Sequence, residues 1–498
     1  MNGLVRSALV AAGLGALAGC TVGPNFRTPA APAVSRYTPA PLPTETASGG
    51  PGGGAAQRFV IGSAVMNRWW TLFGSARLDV LEDEALKANP DLQSARAALT
   101  QARETYLAQR ATQFPTAELA ANATRARNSA TIAPPLNSNA ELYSLYTAQL
   151  NVSYVLDVFG GERRQTEAAG AQAENQRFLT EAVYLTLTAN VANAAVQLAS
   201  FDTQMDETRR IVDADRQTLD ISRRRQQLGE ASTADVASAE TALEQAELLA
   251  PPLQKQIDQE RDLLATLVGR APSEAPADRL EVVDFQLPLD LPVSLPSDLV
   301  RQRPDVRAAE ANVHAASALL GVATAARLPS FSLAASAGGA SSEIATLFSS
   351  ANTLWSVTGS AAQTVFDAGA LHHKQKAAAA ALDQAKAQYR SAVLGALQNT
   401  ADVLQAIVDD AQGLKHAAAA AAAAARSLRL TETDFEHGQI GSLPVLTAKA
   451  ADGQAQIALS QASAARYVDT IALYQALGGG WRDRAADLAA PAAASGLQ

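Results

Sequence analysis

Along the chain the period of apolar positions changes in a fixed order, and the whole order runs twice. An alanine-rich stretch with helical spacing covers about 81–112 and ends before Pro115, as helices do. Two alternating segments follow. Ala148, Leu150, Val152, Tyr154 and Leu156 alternate with Gln149, Asn151, Ser153 and Val155, which predicts a strand with one apolar and one polar face. Thr116 to Ala126, led by Leu119, is a weaker match. Strands are therefore expected at 116–126 and 142–156, linked around Pro134-Pro135 as a hairpin. Each is near the length, about ten residues, that a tilted strand needs to cross a bilayer. Asp157-Val158-Phe159-Gly160 closes the strands. Glu162 to Gln227 then runs without proline and almost without glycine, and a helix of about 66 residues spans roughly 100 Å. It turns at Leu228-Gly229-Glu230-Ala231-Ser232 and returns, completing a helical hairpin at 162–268. Pro251-Pro252 predicts a break or kink midway along the return.

The second pass predicts a helix over 298–327, strands at 330–338 and 354–365, and a helical hairpin at 371–477 that turns at His437 to Ser442. Phe331, Leu333, Ala335 and Ala337 alternate with Ser332, Ala334 and Ser336, while Trp355 and Val357 lie in the second strand. Asn89-Pro90-Asp91 recurs as Arg303-Pro304-Asp305, and Phe114-Pro115 as Leu328-Pro329, both at an offset of 214. Gly160, Gly229, Val236 and Gly269 recur as Gly369, Gly438, Val445 and Gly478 at an offset of 209. The register thus slips once, by five residues, between Pro115 and Gly160. The expected organisation is α+β. Two repeats, 66–270 and 298–480, each form a structural unit, joined by a proline-containing linker at 271–297. Residues 20–65 read as an extended segment and 481–498 as a tail.

The ends and the charge narrow the function class. Arg6 followed by the apolar stretch Ala8 to Leu17 has the shape of a secretory signal over 1–19, too short to span a membrane. Leu17-Ala18-Gly19-Cys20 closes it and resembles a bacterial lipobox, which implies an S-diacylglyceryl and N-palmitoyl lipid on Cys20. Cys20 is the only cysteine, so an intrachain disulfide is excluded. A net charge of −9 argues against a general nucleic-acid binder. No mature segment approaches 18 continuous apolar residues, so any crossing must be made by β-strands. Four strands cannot close a barrel, and open edges are not tolerated in lipid, so several chains must contribute to one barrel.

These residues resemble one family. Thr21-Val22-Gly23-Pro24-Asn25-Phe26 is similar to the opening of TolC-like, NodT-type outer-membrane efflux lipoproteins, the exit ducts of tripartite pumps. Trp69-Trp70-Thr71-Leu72-Phe73 with Leu78, Tyr154 to Gly160, Arg303 to Val306 with Glu310, and Leu328 to Phe331 match further landmarks. The resemblance covers about 20–480. It implies a homotrimer forming a twelve-stranded barrel in the outer membrane of a Gram-negative bacterium. An α-helical tunnel would extend into the periplasm and dock on a periplasmic adaptor (membrane fusion) protein and an inner-membrane pump of the resistance–nodulation–division or related class. It also implies that the turns Gly229, Glu230, Ala231 and Ser232, and Gly438, Gln439, Ile440, Gly441 and Ser442, are the periplasmic tips.

Paired aspartates that form an acidic gate in family members are replaced here by Pro444 and Thr447. Glu230 and Asp235 at the first tip are candidate substitutes, although acids also favour a first helical turn. Asp157 and Asp367 fall at strand-to-helix corners, where capping explains them. His372 and His373 are adjacent and point about 100° apart on a helix, too divergent to share a metal. No phosphate loop, nucleophile elbow or zinc spacing is present, and the resemblance implies a passive duct without enzymatic activity or cofactor. Two alternatives stay open at this point: the outer-membrane duct of a type I protein secretion system, and a lipid-anchored coiled-coil scaffold without a pore.

Overall fold

The computed structural model describes residues 21–30, 32–49, 54–129, 131, 141–275 and 279–481. Cys20, the 1–19 signal and all but the first residue of the 481–498 tail lie outside them. The N-terminal segment holds β1 (Arg58–Ile61), and the first repeat opens with a 3-10 turn at Trp69–Phe73, followed by α1 (Ala76–Ala88) and α2 (Pro90–Ala111). Then come β2 (Thr116–Arg127), β3 (Leu142–Leu156), α3 (Gly161–Gln227) and α4 (Thr233–Leu267). The linker holds β4 (Asp290–Val293) and the start of α5 (Pro296–Gln302), and the second repeat continues with α6 (Pro304–Ala325), β5 (Ser330–Ser341), β6 (Thr353–Ala362), α7 (Ala370–Glu436) and α8 (Ser442–Ala476).

The long hairpins have the expected bounds to within two residues. Other expectations need correction. The single helices at 81–112 and 298–327 are each split in two, at Asn89 and Arg303. Both residues precede a proline and adopt extended backbone, which the proline ring imposes on its neighbour. Conversely, Pro251 and Pro252 do not break α4. They sit on its exposed face, while Leu243, Ala246, Leu253 and Ile257 are buried on either side, so packing of the opposite face carries the helix through two missing amide bonds. The linker is not featureless, since β4 pairs in parallel with β1, Phe59 opposite Leu291. One window of α3 is long and apolar enough to cross a membrane, but 67% of it is buried inside the protein, as in a core helix.

Neither repeat is a unit of packing by itself. Contacts divide the chain into one unit of 1–29, 98–176 and 308–390 and another of 30–97, 177–307 and 391–498, so each unit takes one portion of both repeats. The first unit contains all four long strands. The second contains both hairpin turns and a core in which Trp69, Phe73 and Leu78 are fully buried. Trp69 stacks on Tyr474 of α8 at 5.3 Å between ring centroids and meets Phe73 edge-on. The sequence landmark Trp69–Phe73 is therefore a core plug.

The repeat landmarks meet in space in the second unit. Asn89 donates from Nδ2 to the Leu267 carbonyl at the end of α4, at 3.0 Å. At the equivalent place Arg303 donates to the Ala476 carbonyl at the end of α8, at 3.1 Å. Beside them, a Cβ on Gly269 would lie 2.7 Å from the Ala88 carbonyl oxygen, and one on Gly478 would lie 2.7 Å from that of Gln302. Each return helix thus ends against the break that opens its own repeat. The exposed last carbonyls of α4 and α8 are satisfied there.

Candidate functional site: a membrane sheet and two helical tips

The four long strands form one antiparallel sheet in the order β2-β3-β5-β6. Its register sorts the residues by chemistry. Leu119, Leu150, Ala337 and Trp355 stand opposite one another in a row across the sheet, as do Ala117, Val152, Ala335 and Val357. The intervening row is Glu118, Asn151, Ser336 and Ser356. Because neighbouring residues on a strand face opposite ways, the first two rows share one face and the third lies on the other. The apolar face is bare: Leu119 is 77% exposed and Trp355 78%. On the polar face Ser336 and Ser356 are hydrogen-bonded at 2.9 Å. Among the described residues β2 and β6 each pair on one side only, which leaves two open edges.

Two acids at the strand-to-helix corners act as caps. Asp157 accepts hydrogen bonds from the Glu162 and Arg163 amides at 3.1 and 2.9 Å, satisfying the free N–H groups that open α3. Asp367 does the same for α7 through the Gly369 and Leu371 amides, at 2.9 and 2.7 Å. The Leu371 bond foremost, with the other amides, holds the Asp367 carboxyl below its ordinary range. His372 and His373 lie in the first turn of α7, their rings 5.5 Å apart at 65°.

At the hairpin turns Gly229 and Gly438 have φ of 79° and 72°, in the left-handed region that favours glycine. The Glu230 amide donates to the Arg225 carbonyl and the Gly229 amide to that of Gln226; Gln439 and Gly438 repeat this with Asp434 and Phe435. Both turns are Schellman caps, so the helix-reversing role of these glycines is fully accounted for. The starts of the return helices differ. Ser232 and Asp235 form a capping box at the start of α4. Gly441 opens α8 without a side-chain cap, with Pro444 in the first turn, where its missing N–H costs nothing. Glu230 is exposed and lies 3.8 Å from Arg225. Asp235 is held below its ordinary pKa by the Ser232 amide and hydroxyl. A Cβ at Gly229, Gly438 or Gly441 would meet nothing within 4 Å. The tips have space around them, and Val236 and Val445 behind them are buried.

A sheet with one apolar exposed face and two unpaired edges, carried with two very long helical hairpins, matches the comparisons with known proteins. The family described as outer membrane efflux protein matches residues 81–270 and 295–479. The chain belongs to the outer membrane efflux protein family. Its place is the outer membrane and its work is efflux. It is 30% identical over 471 residues to the toluene efflux pump outer membrane protein TtgC of Pseudomonas putida, covering 94% of each chain. It is equally similar, at 30% over 471 residues, to the antibiotic efflux pump outer membrane protein ArpC of the same species. Among solved structures, the outer-membrane channel OprN has a TM-score of 0.79 at 27% identity, over 93% of this chain and 100% of that one.

Sequence reasoning missed the residues that fasten the N-terminal segments of this efflux protein. Arg466 of α8 is fully buried and donates to Gln57 Oε1, Thr46 Oγ1 and the Ala55 carbonyl, at 3.1, 2.9 and 3.0 Å. It is one arginine in an alanine-rich helix, and no motif marks it. Arg164, at the start of α3, does comparable work on the Thr21–Phe26 segment.

Proposed function

We propose that the chain is one third of a homotrimeric exit duct whose twelve strands close a barrel through the outer membrane. The duct passively releases small molecules that an inner-membrane pump delivers through a periplasmic adaptor. The observation that carries this reading is the four-stranded sheet with open edges at β2 and β6 and a bare apolar face. Such edges leave backbone groups unpaired, which lipid does not tolerate, and three copies joined edge to edge satisfy them all. The apolar rows then face lipid and the row Glu118, Asn151, Ser336 and Ser356 faces the pore. In this reading the tips at Gly229–Ser232 and Gly438–Ser442 meet the adaptor, Glu230 and Asp235 are the acids nearest the aperture, and Cys20 carries the lipid. TtgC and ArpC are described as serving toluene and antibiotic efflux, which points to small apolar or amphipathic cargo.

The test is the mass of the detergent-extracted protein by light scattering together with its strand content. A trimer is expected; a monodisperse monomer that keeps its β-structure overturns the barrel. Deleting the gene should raise susceptibility to exported compounds, and mass spectrometry of the N-terminal peptide should show diacylglyceryl and acyl groups on Cys20.

A further inference from the structure

We infer that the first unit contains a built receptor for the chain's own segment Thr21–Phe26, with Arg164 as its central positioning residue. The receptor fixes the point at which the lipid-bearing residue joins the channel. The Arg164 side chain is 4% exposed and all three guanidinium nitrogens are engaged. Nε donates to the Val22 carbonyl at 3.2 Å, Nη2 to Asn25 Oδ1 at 2.6 Å and Nη1 to Glu167 Oε2 at 2.6 Å. The Val22 amide donates to the Phe159 carbonyl at 3.1 Å, at the corner where β3 gives way to α3. A buried guanidinium spread over a backbone carbonyl and a side-chain amide of one short segment is a recognition device, since charge-assisted hydrogen bonds are the strong ones.

Shape supports the same assignment. Gly23 has φ of 91°, and a Cβ there would lie 2.5 Å from the Gly321 Cα on α6. Gly321 in turn leaves room for Arg164, whose Cγ would be 2.9 Å from an added Cβ. Two glycines that face each other across a strap and a helix allow a contact no other residue pair permits. Farther along, Phe26 stacks on His314 of α6 with ring centroids 4.4 Å apart, and His314 Nε2 lies 2.9 Å from Glu167 Oε1. Arg164, Glu167 and His314 therefore tie α3, α6 and the strap into one network.

The functional consequence rests on the lipidation reading above. Consecutive Cα atoms are about 3.8 Å apart, so a lipid on Cys20 is tethered within one residue of a strap held at the strand-to-helix corner, where the apolar sheet face ends.

Hydrogen exchange on the full-length detergent-solubilised protein tests the receptor. In the wild type the Val22 amide, which donates to the Phe159 carbonyl, should be protected. Arg164→Ala should raise its exchange by about tenfold or more, as loss of charge-assisted bonds predicts, with β2, β3, β5 and β6 unchanged. Asn25→Ala removes one contact without touching α3 and should give a smaller rise, which keeps the idea testable if Arg164→Ala fails to fold. Unaltered exchange in Asn25→Ala and in any folded Arg164→Ala protein, or an unprotected wild-type Val22 amide, overturns the receptor. A Cys20→Ser form exported on a cleavable leader should retain the protection; its loss would mean that the lipid does the holding and also overturns the receptor. The mass of the wild-type N-terminal peptide decides lipidation separately.

Discussion

Ser200 of α3 and Ser460 of α8 face each other at 3.1 Å between hydroxyl oxygens, and each hydroxyl also reaches the other's backbone carbonyl, at 3.4 and 3.3 Å. Both are buried. This is a seam between the two repeats. Gln204 donates to Ser200 Oγ at 3.0 Å, and Gln461 donates to Gln204 Oε1 at 2.8 Å. A little farther along the same helices Gly453 lies against Ile211 so closely that a Cβ would be 2.7 Å from its Cγ1. Small residues permit the approach, and the polar lattice sets its register.

Replacing one seam serine with alanine should cost about 1 kcal/mol, because the hydroxyl–hydroxyl bond is lost while the remaining hydroxyl keeps the opposite backbone carbonyl. The double variant should cost less than the sum, since the shared hydroxyl–hydroxyl bond can be lost only once. Thermal unfolding of the two singles and the double provides the cycle, and strict additivity would contradict a coupled pair.

Glycine substitutions separate three roles. Gly229→Ala and Gly438→Ala should each cost about 1 kcal/mol, since only left-handed backbone is strained and the space is open. Gly453→Ala should cost more, because Ile211 must move. If the tips are the adaptor contact, Gly438→Leu should keep normal yield while efflux and adaptor cross-linking are lost. Unchanged drug susceptibility and cross-linking would place docking elsewhere.

Leu150 lies mid-strand on the apolar face and Asn151, next to it, on the polar face. Leu150→Arg should therefore destabilise the assembled barrel by about 2–4 kcal/mol, whereas Asn151→Arg should be tolerated and alter what the pore passes. Equal loss of heat-resistant oligomer in both variants would reverse the assignment of faces.

Burial, with Asp410 hydrogen-bonded alongside, pushes the Asp469 carboxyl up to about 7. An unfolded aspartate titrates near about 3.9, so between those values the folded protein binds more protons than the unfolded one. Stability should thus fall as pH rises from about 4 to about 7. Thermal midpoints across that range should decline in the wild type, and Asp469→Asn should flatten the decline. The opposite slope would rule out the shared proton. Glu167 has the opposite sign. Its burial is outweighed by hydrogen bonds from Arg164 and His314, which hold its carboxyl below the usual range. Its contribution to the strap should be complete above the ordinary glutamate range and fade only in stronger acid, as the protection factor of the Val22 amide against pH would show.

What the sequence determined by itself is everything set by local period and local backbone demand. Alternation marked β3 and β5 because a strand turns its side chains over every two residues, and Leu142–Leu156 has the predicted bounds; β2 was a weaker match, while β5 runs three residues past its expected end and β6 stops three short. The glycines at offset 209 were legible as landmarks because each occupies a left-handed turn that favours glycine. Proline was a less certain guide. Pro90 and Pro304 begin new helices, whereas Pro251 and Pro252 interrupt nothing, and only the buried face opposite them explains the difference. Tertiary structure alone decided which residues meet. β3 pairs with β5, joining the repeats into one sheet. Arg466 and Arg164 hold segments roughly 410 and 140 positions away in the chain. Such contacts leave no trace in a periodic pattern, because a single arginine in a helix has the same local preference whether it faces water or is closed inside the protein over a passing strand of backbone.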